Sequence, residues 1–115
     1  MAVTFGTINL VVDLTGTPEA ISATELYVAW ALIQAKGGNN AGTGANTGKV
    51  FIGPSTVTNS GTTGVQMPAP SASAVPAALR FDSGDSSNAI NLADLYVAVG
   101  VAGDGVIVLY AQRTE

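Results

Sequence analysis

The chain contains no cysteine and no histidine. Those two absences exclude disulfides, thiolate chemistry, histidine metal ligation and histidine acid–base catalysis, and with them most ways of building a catalytic triad or a zinc site. Charge is scarce as well. Four basic and eight acidic residues make up 10% of 115 positions and leave a net charge of −4, where an ordinary globular chain is about a quarter charged. The basic residues Lys36, Lys49, Arg80 and Arg113 are scattered. No cluster is available to displace counterions from a phosphate backbone, so nucleic acid is not an expected partner. No apolar run reaches the roughly 20 residues of a spanning helix, and "MAVTFGTINLVVDL" lacks the basic start and small-residue cleavage site of a signal peptide. No membrane partner is expected, and synthesis in a cytoplasm is.

At 115 residues a single domain could bury roughly two-thirds of its unfolded surface, enough for one core without staples. A chain this poor in charge, with mean hydropathy of +0.38, is ill suited to life as a bare monomer. Part of its surface is expected to be covered by copies of itself or by a larger partner.

The patterning favours strands. Val3 to Leu14 mixes β-branched and apolar residues and ends in the turn cluster "DLTGTPE". "DLYVAVGVAGDGVIVLYAQ" reads as a terminal hairpin: two apolar runs joined through Ala102-Gly103-Asp104-Gly105, with Asp-Gly supplying the positive φ of a tight turn. Alternation puts Leu95, Val97, Val99 and Val101 on one face, and Tyr96 and Ala98 on the other. A further strand is expected from about Lys49 to Ile52, then a bend at Gly53-Pro54 and a short strand through Thr58. Pro68, Pro70 and Pro76 mark a long surface connection, after which a strand resumes near Ala78 to Phe81.

Thr17 to Gly37 carries two readings. Thr17, Pro18 and Gly37 could cap, open and end a helix, with Ala23, Leu26, Tyr27, Trp30 and Ile33 near one face. The strand reading takes "ELYVAWALIQA" as alternating, with Leu26, Val28, Trp30 and Leu32 together. Strand neighbours on both sides favour the second, because a lone helix would need somewhere to pack. "ELYVA" at Glu25 is echoed by "DLYVA" at Asp94; five residues are too few for a repeat, and the echo is read as two strands of similar pattern.

One stretch suggests chemistry. "GTGANTGKVFIG", Gly42 to Gly53, resembles a loop that cradles phosphate. That motif needs a glycine five residues before the Gly-Lys pair, a Ser or Thr after the lysine, and a helix. Thr43, Val50 and the following Pro54 fail all three requirements. The acidic loop "DSGDSSN" offers Asp82, Asp85 and Asn88 as oxygen ligands but lacks calcium-loop spacing and is read as a solvated turn. Asp82 with Asp94, or Glu25 with either, could pair as in glycoside hydrolases only if a cleft held them about 5–10 Å apart. Trp30 is assigned to the core in preference to a sugar platform. No catalytic, cofactor-binding or metal-binding residue is assigned, no cofactor is expected, and the chain is not read as an enzyme.

The order "LIQAKGGNNAGTGANTGKVFIGPSTV", a Pro- and Ser-rich stretch, then "INLADLYVAVGVAGDGVIVLYA" resembles small virion proteins of tailed bacteriophages. The likeness runs from about Ile21 to Ala111 and rests on "NTGKVFIG" at Asn46 to Gly53, "STV" at Ser55 to Val57, and "LADLYV" at Leu92 to Val97 leading through "GDG" into "VIVLY". The longer lead-in "GGNNAGTGA" departs from the group's pattern. The resemblance implies an all-β, antiparallel, jelly-roll-like β-sandwich, with a strand at Leu26 to Ala35. It also implies a structural role on the capsid exterior: decoration or cementing of the major capsid protein, with self-association into dimers or trimers. A fibre, tail or receptor-binding module for a host glycan is the alternative. The arm Met1 to Gly6 and the loop Gly37 to Gly48 are the expected contact segments.

Overall fold

The computed structural model describes residues 2–36, 46–60, 63–68, 78–84 and 88–114. Among the described residues ten strands form where β-branched and apolar residues recur: β1 (Ala2–Val11), β2 (Glu19–Ala20), β3 (Tyr27–Val28), β4 (Trp30–Ala35), β5 (Val50–Gly53), β6 (Val65–Met67), β7 (Ala78–Asp82), β8 (Ile90–Asn91), β9 (Tyr96–Val99) and β10 (Gly105–Thr114). One turn of 3-10 helix, Leu92–Asp94, follows β8. No helix among the described residues is long and apolar enough to cross a membrane.

The pairing is nested. β1 pairs with β10, β2 with β9, β3 with β8, β4 with β7 and β5 with β6, all antiparallel. The chain is therefore one long ribbon folded back at its β5–β6 tip. Two more antiparallel pairings, β4 with β10 and β5 with β9, roll the ribbon into two four-stranded sheets. The first is ordered β1-β10-β4-β7 and the second β2-β9-β5-β6, with β3–β8 separate. Both sheets feed one core. Ala31, Ile33, Val106 and Val108 come from the first sheet, and Val50, Ile52, Met67, Val97 and Val99 from the second. Each of the larger side chains contributes roughly 1.5–3 kcal/mol by leaving water.

Of the two readings of Thr17 to Gly37, the favoured strand is the one present: among the described residues, Thr17 to Lys36 holds strands and bends but no helix. Other expectations are corrected. The strand there does not keep Leu26, Val28, Trp30 and Leu32 on one face. Val28 and Ala29 are both buried, after which Ala31, Ile33 and Ala35 face the core. Ala29 donates its N–H to Ala111 O while its carbonyl accepts from Ser83 N. This bend between β3 and β4 reverses the alternation, as an inserted residue does in a bulged strand.

The terminal hairpin is also revised, because β9 and β10 lie in different sheets. The segment between them is an arch. Its turn is closed by Asp104 N donating to Val101 O, and the positive φ of 93° belongs to Gly103. Gly105 serves another need: a Cβ there would collide with the carbonyl oxygen of Leu10 on the paired β1. The short strand expected through Thr58 is a turn, held by Val57 N to Pro54 O. The segment read as an N-terminal arm is, from Ala2 on, the first half of β1. The strand near Ala78 to Phe81 is present as β7, whereas most of the proline-rich connection lies outside the described residues.

Candidate functional site

The register of the first sheet sets its outer face. Phe5, Ala111, Trp30 and Asp82 lie opposite one another in one row; Thr7, Leu109, Leu32 and Arg80 form the next; Asn9, Ile107, Gln34 and Ala78 form the third. Directly opposed residues share a face. Val106 and Val108 alternate with these rows along β10 and point into the core, so the rows point outward. The result is an apolar surface: Phe5 is 62% exposed, Ile107 41%, and Leu32 and Leu109 37% each. Val3 and Val11 extend it along β1.

Trp30 therefore leaves the core and joins this surface. Its ring meets Phe5 edge-to-face, with centroids 5.9 Å apart and planes at 63°. The Arg80 guanidinium sits 5.2 Å from the centroid, a cation–π contact. Ala111, between the two aromatics in the row, is fully covered. Arg80 also pairs with Asp82 at 3.1 Å. The Gly84 N–H, first, and the Arg80 guanidinium, second, hold the Asp82 carboxyl below its ordinary range.

A polar latch closes one end of the sandwich. Thr47 N and Gly48 N donate to the two carboxylate oxygens of Asp104, at 3.1 and 2.9 Å. Asn46 donates from Nδ2 to Gly105 O and accepts Gly105 N at Oδ1, both at 2.8 Å. Asn46 and Asp104 are the buried polar side chains of the described residues, and each is fully engaged. The segment that looks like a phosphate cradle does bind an anion, and the anion is the protein's own carboxylate. Its backbone N–H groups face Asp104 because the arch after β9 brings that residue to the entry of β5. Lys49 is exposed. Gly42, Thr43 and the rest of 37–45 lie outside the described residues.

The remaining candidate residues belong to turns, strand ends and backbone clamps. Asp82 engages Arg80 and Gly84; Asp94 lies in the 3-10 turn, and Glu25 follows the bend before β3, next to Leu26, whose N–H donates to Asn91 Oδ1. Asp85 lies outside the described residues. Asn88 clamps Arg113 in the manner of a backbone partner, accepting its N–H at 2.9 Å and donating to its carbonyl at 2.8 Å. Among the described residues no three acidic side chains gather closely enough to hold a metal ion. Sequence reasoning missed the latch because a buried Asp next to Gly reads as turn chemistry. It missed the open face because alternation does not say which side is inward. Comparison with protein-family models, with curated proteins and with solved structures finds no match for this chain.

Proposed function

We propose that the chain is a non-enzymatic structural subunit of a tailed-phage particle, a decoration or cementing protein that sits on the capsid exterior and binds the major capsid protein. The observation that carries this reading is the outward apolar face of the first sheet. A surface formed by Phe5, Trp30, Leu32, Ile107 and Leu109, in a chain only 10% charged, suits burial against a larger partner. The nested pairing supports the finer reading of the sandwich as a jelly roll, one ribbon wound over a core. Such a subunit acts mechanically. It binds the assembled shell in preference to the dissociated one, and so stabilises the assembled state by mass action.

The test is to add purified protein to undecorated shells and follow co-sedimentation and the temperature of shell disruption. Saturable binding with a raised disruption temperature is expected, and Leu109→Asp should abolish both while remaining folded. A handful of copies at one vertex of native particles would sink the decoration reading. Trp30 facing outward favours a second reading, a fibre or receptor-binding module for a host glycan, in which the indole would stack on a sugar ring. Arg80 occupies ground beside that ring, so glycan-array binding that is lost in Trp30→Ala but unaffected by Leu109→Asp would select this alternative.

A further inference from the structure

The first sheet has two edges that differ in kind. β7 closes one; it is five residues long and carries Arg80 and Asp82. β1 closes the other, and among the described residues no strand lies beyond it. Proteins normally protect a strand edge with charge, proline, a bulge or brevity. β1 uses none of these: "AVTFGTINLV" runs ten residues in unbroken register, without a charge or a proline.

The hydrogen bonds show which backbone groups point outward. Val12 donates to Asp104 O and accepts from Gly103 N, continuing the register in which Val11 faces Gly105. Bonded pairs alternate along an antiparallel ladder. Leu10, Ile8, Gly6 and Thr4 therefore direct their N–H and C=O groups at β10, while Val3, Phe5, Thr7, Asn9 and Val11 direct theirs at the open edge.

We infer that this edge is occupied by β1 of a second copy of the chain, antiparallel about a two-fold axis at Thr7, which joins two first sheets into one eight-stranded sheet. Complementarity favours a second copy. Each outward residue offers one donor and one acceptor, and an identical antiparallel strand returns one of each. The axis at Thr7 sets Val3 opposite Val11, Phe5 opposite Asn9 and Thr7 opposite itself, so every outward residue of β1 is matched and no charges meet. The side chains of these residues belong to the apolar outer face, so pairing makes the two faces continuous. At about 3.3 Å per residue the nine-residue shared ladder spans roughly 30 Å. This inference rests on the edge alone and does not depend on a shell partner.

Sedimentation equilibrium of the full chain tests it, together with cross-linking by a short bifunctional maleimide. The native chain has no cysteine, so Thr7→Cys introduces a single thiol on the axis and Ile107→Cys one on the same face but off it. The expected result is twice the monomer mass, efficient cross-linking of Thr7→Cys, and little of Ile107→Cys. Thr7→Lys sets two ammonium groups against each other, and Thr7→Pro removes an N–H that the monomer's ladder does not use. Both should return monomers with the strand spectrum retained. A monomeric native chain would overturn the inference. So would a dimer that survives Thr7→Lys and in which Ile107→Cys cross-links as well as Thr7→Cys, which would place the contact on the open face. Shell binding is read separately through Leu109→Asp, so failure of one proposal leaves the other standing.

Discussion

The two sheets turn apolar side chains outward as well as inward, yet only one keeps its outer face covered. On the second sheet, Phe51 and Ala98 point away from the main core and are buried beneath Val57, with Tyr96 packed alongside. The cover is the chain's own turn between β5 and β6. Val57 N is tied to Pro54 O, and Thr58 N to Thr63 Oγ1 at 2.8 Å. On the first sheet, Phe5, Leu32, Ile107 and Leu109 occupy the same structural position and remain exposed. Both faces carry large apolar side chains; among the described residues, a turn covers those of the second sheet and none covers those of the first. Exposure on the first sheet is thus a local property of this architecture, and it leaves that face available to another molecule.

The sharpest test of the contrast is to place the same charge on both faces. Val57→Asp buries a carboxylate in the covered face and should cost more than about 3 kcal/mol, enough to unfold a marginal domain. Leu109→Asp on the open face should cost about 1–2 kcal/mol, the sum of a strand-propensity change and partial loss of apolar burial. Urea denaturation of the two variants measures the difference, and similar midpoints would show that the faces are not distinct.

A smaller effect is expected at the latch, where the two sheets meet. Asp104→Ala leaves the Thr47 and Gly48 N–H groups without their acceptor and should destabilise by about 1–3 kcal/mol. Amide exchange at those two residues should accelerate beyond the change in global stability, because the loss is local. Asp104→Asn retains one carbonyl acceptor and should fall between.

The smallest effect belongs to the rim of the open face. Asp82 is exposed, and its carboxyl is held below the ordinary aspartate range by the Gly84 N–H and by Arg80. A depressed carboxyl contributes stability above the unfolded-state value and loses it as pH falls through the folded-state value. Carbon-detected NMR titration should therefore place its midpoint below that of aspartate in the unfolded chain. Arg80→Ala should move the midpoint up only part of the way, because the Gly84 bond remains. An Asp82 midpoint unchanged by Arg80→Ala would show that the ion pair is not formed in solution.

Strand positions were largely legible. Val50 to Ile52 and Ala78 to Phe81 could be read from their β-branched and apolar content, because that content depends only on local fit to a pleated backbone. The terminal segment was half legible. Both strands were evident, but strands joined by a short turn either pair or cross between sheets, and local sequence is the same in either case. At Trp30 the reading failed for a definite reason. One bend at Ala29 inverts every side chain that follows, and a small buried alanine gives no signal of it.

By itself the sequence determined the all-β class, through alternating β-branched segments broken by glycine, proline and asparagine. It also determined which chemistries lack their residues, since no fold can supply an imidazole or a thiolate that the chain does not encode. Tertiary structure alone decided the rest. It turned Trp30 outward, gave the anion-binding loop an internal anion in Asp104, covered one apolar face while leaving the other open, and set β1 at an edge. Those outcomes depend on pairings between residues far apart in the chain, where a single bend or crossover changes what each side chain meets.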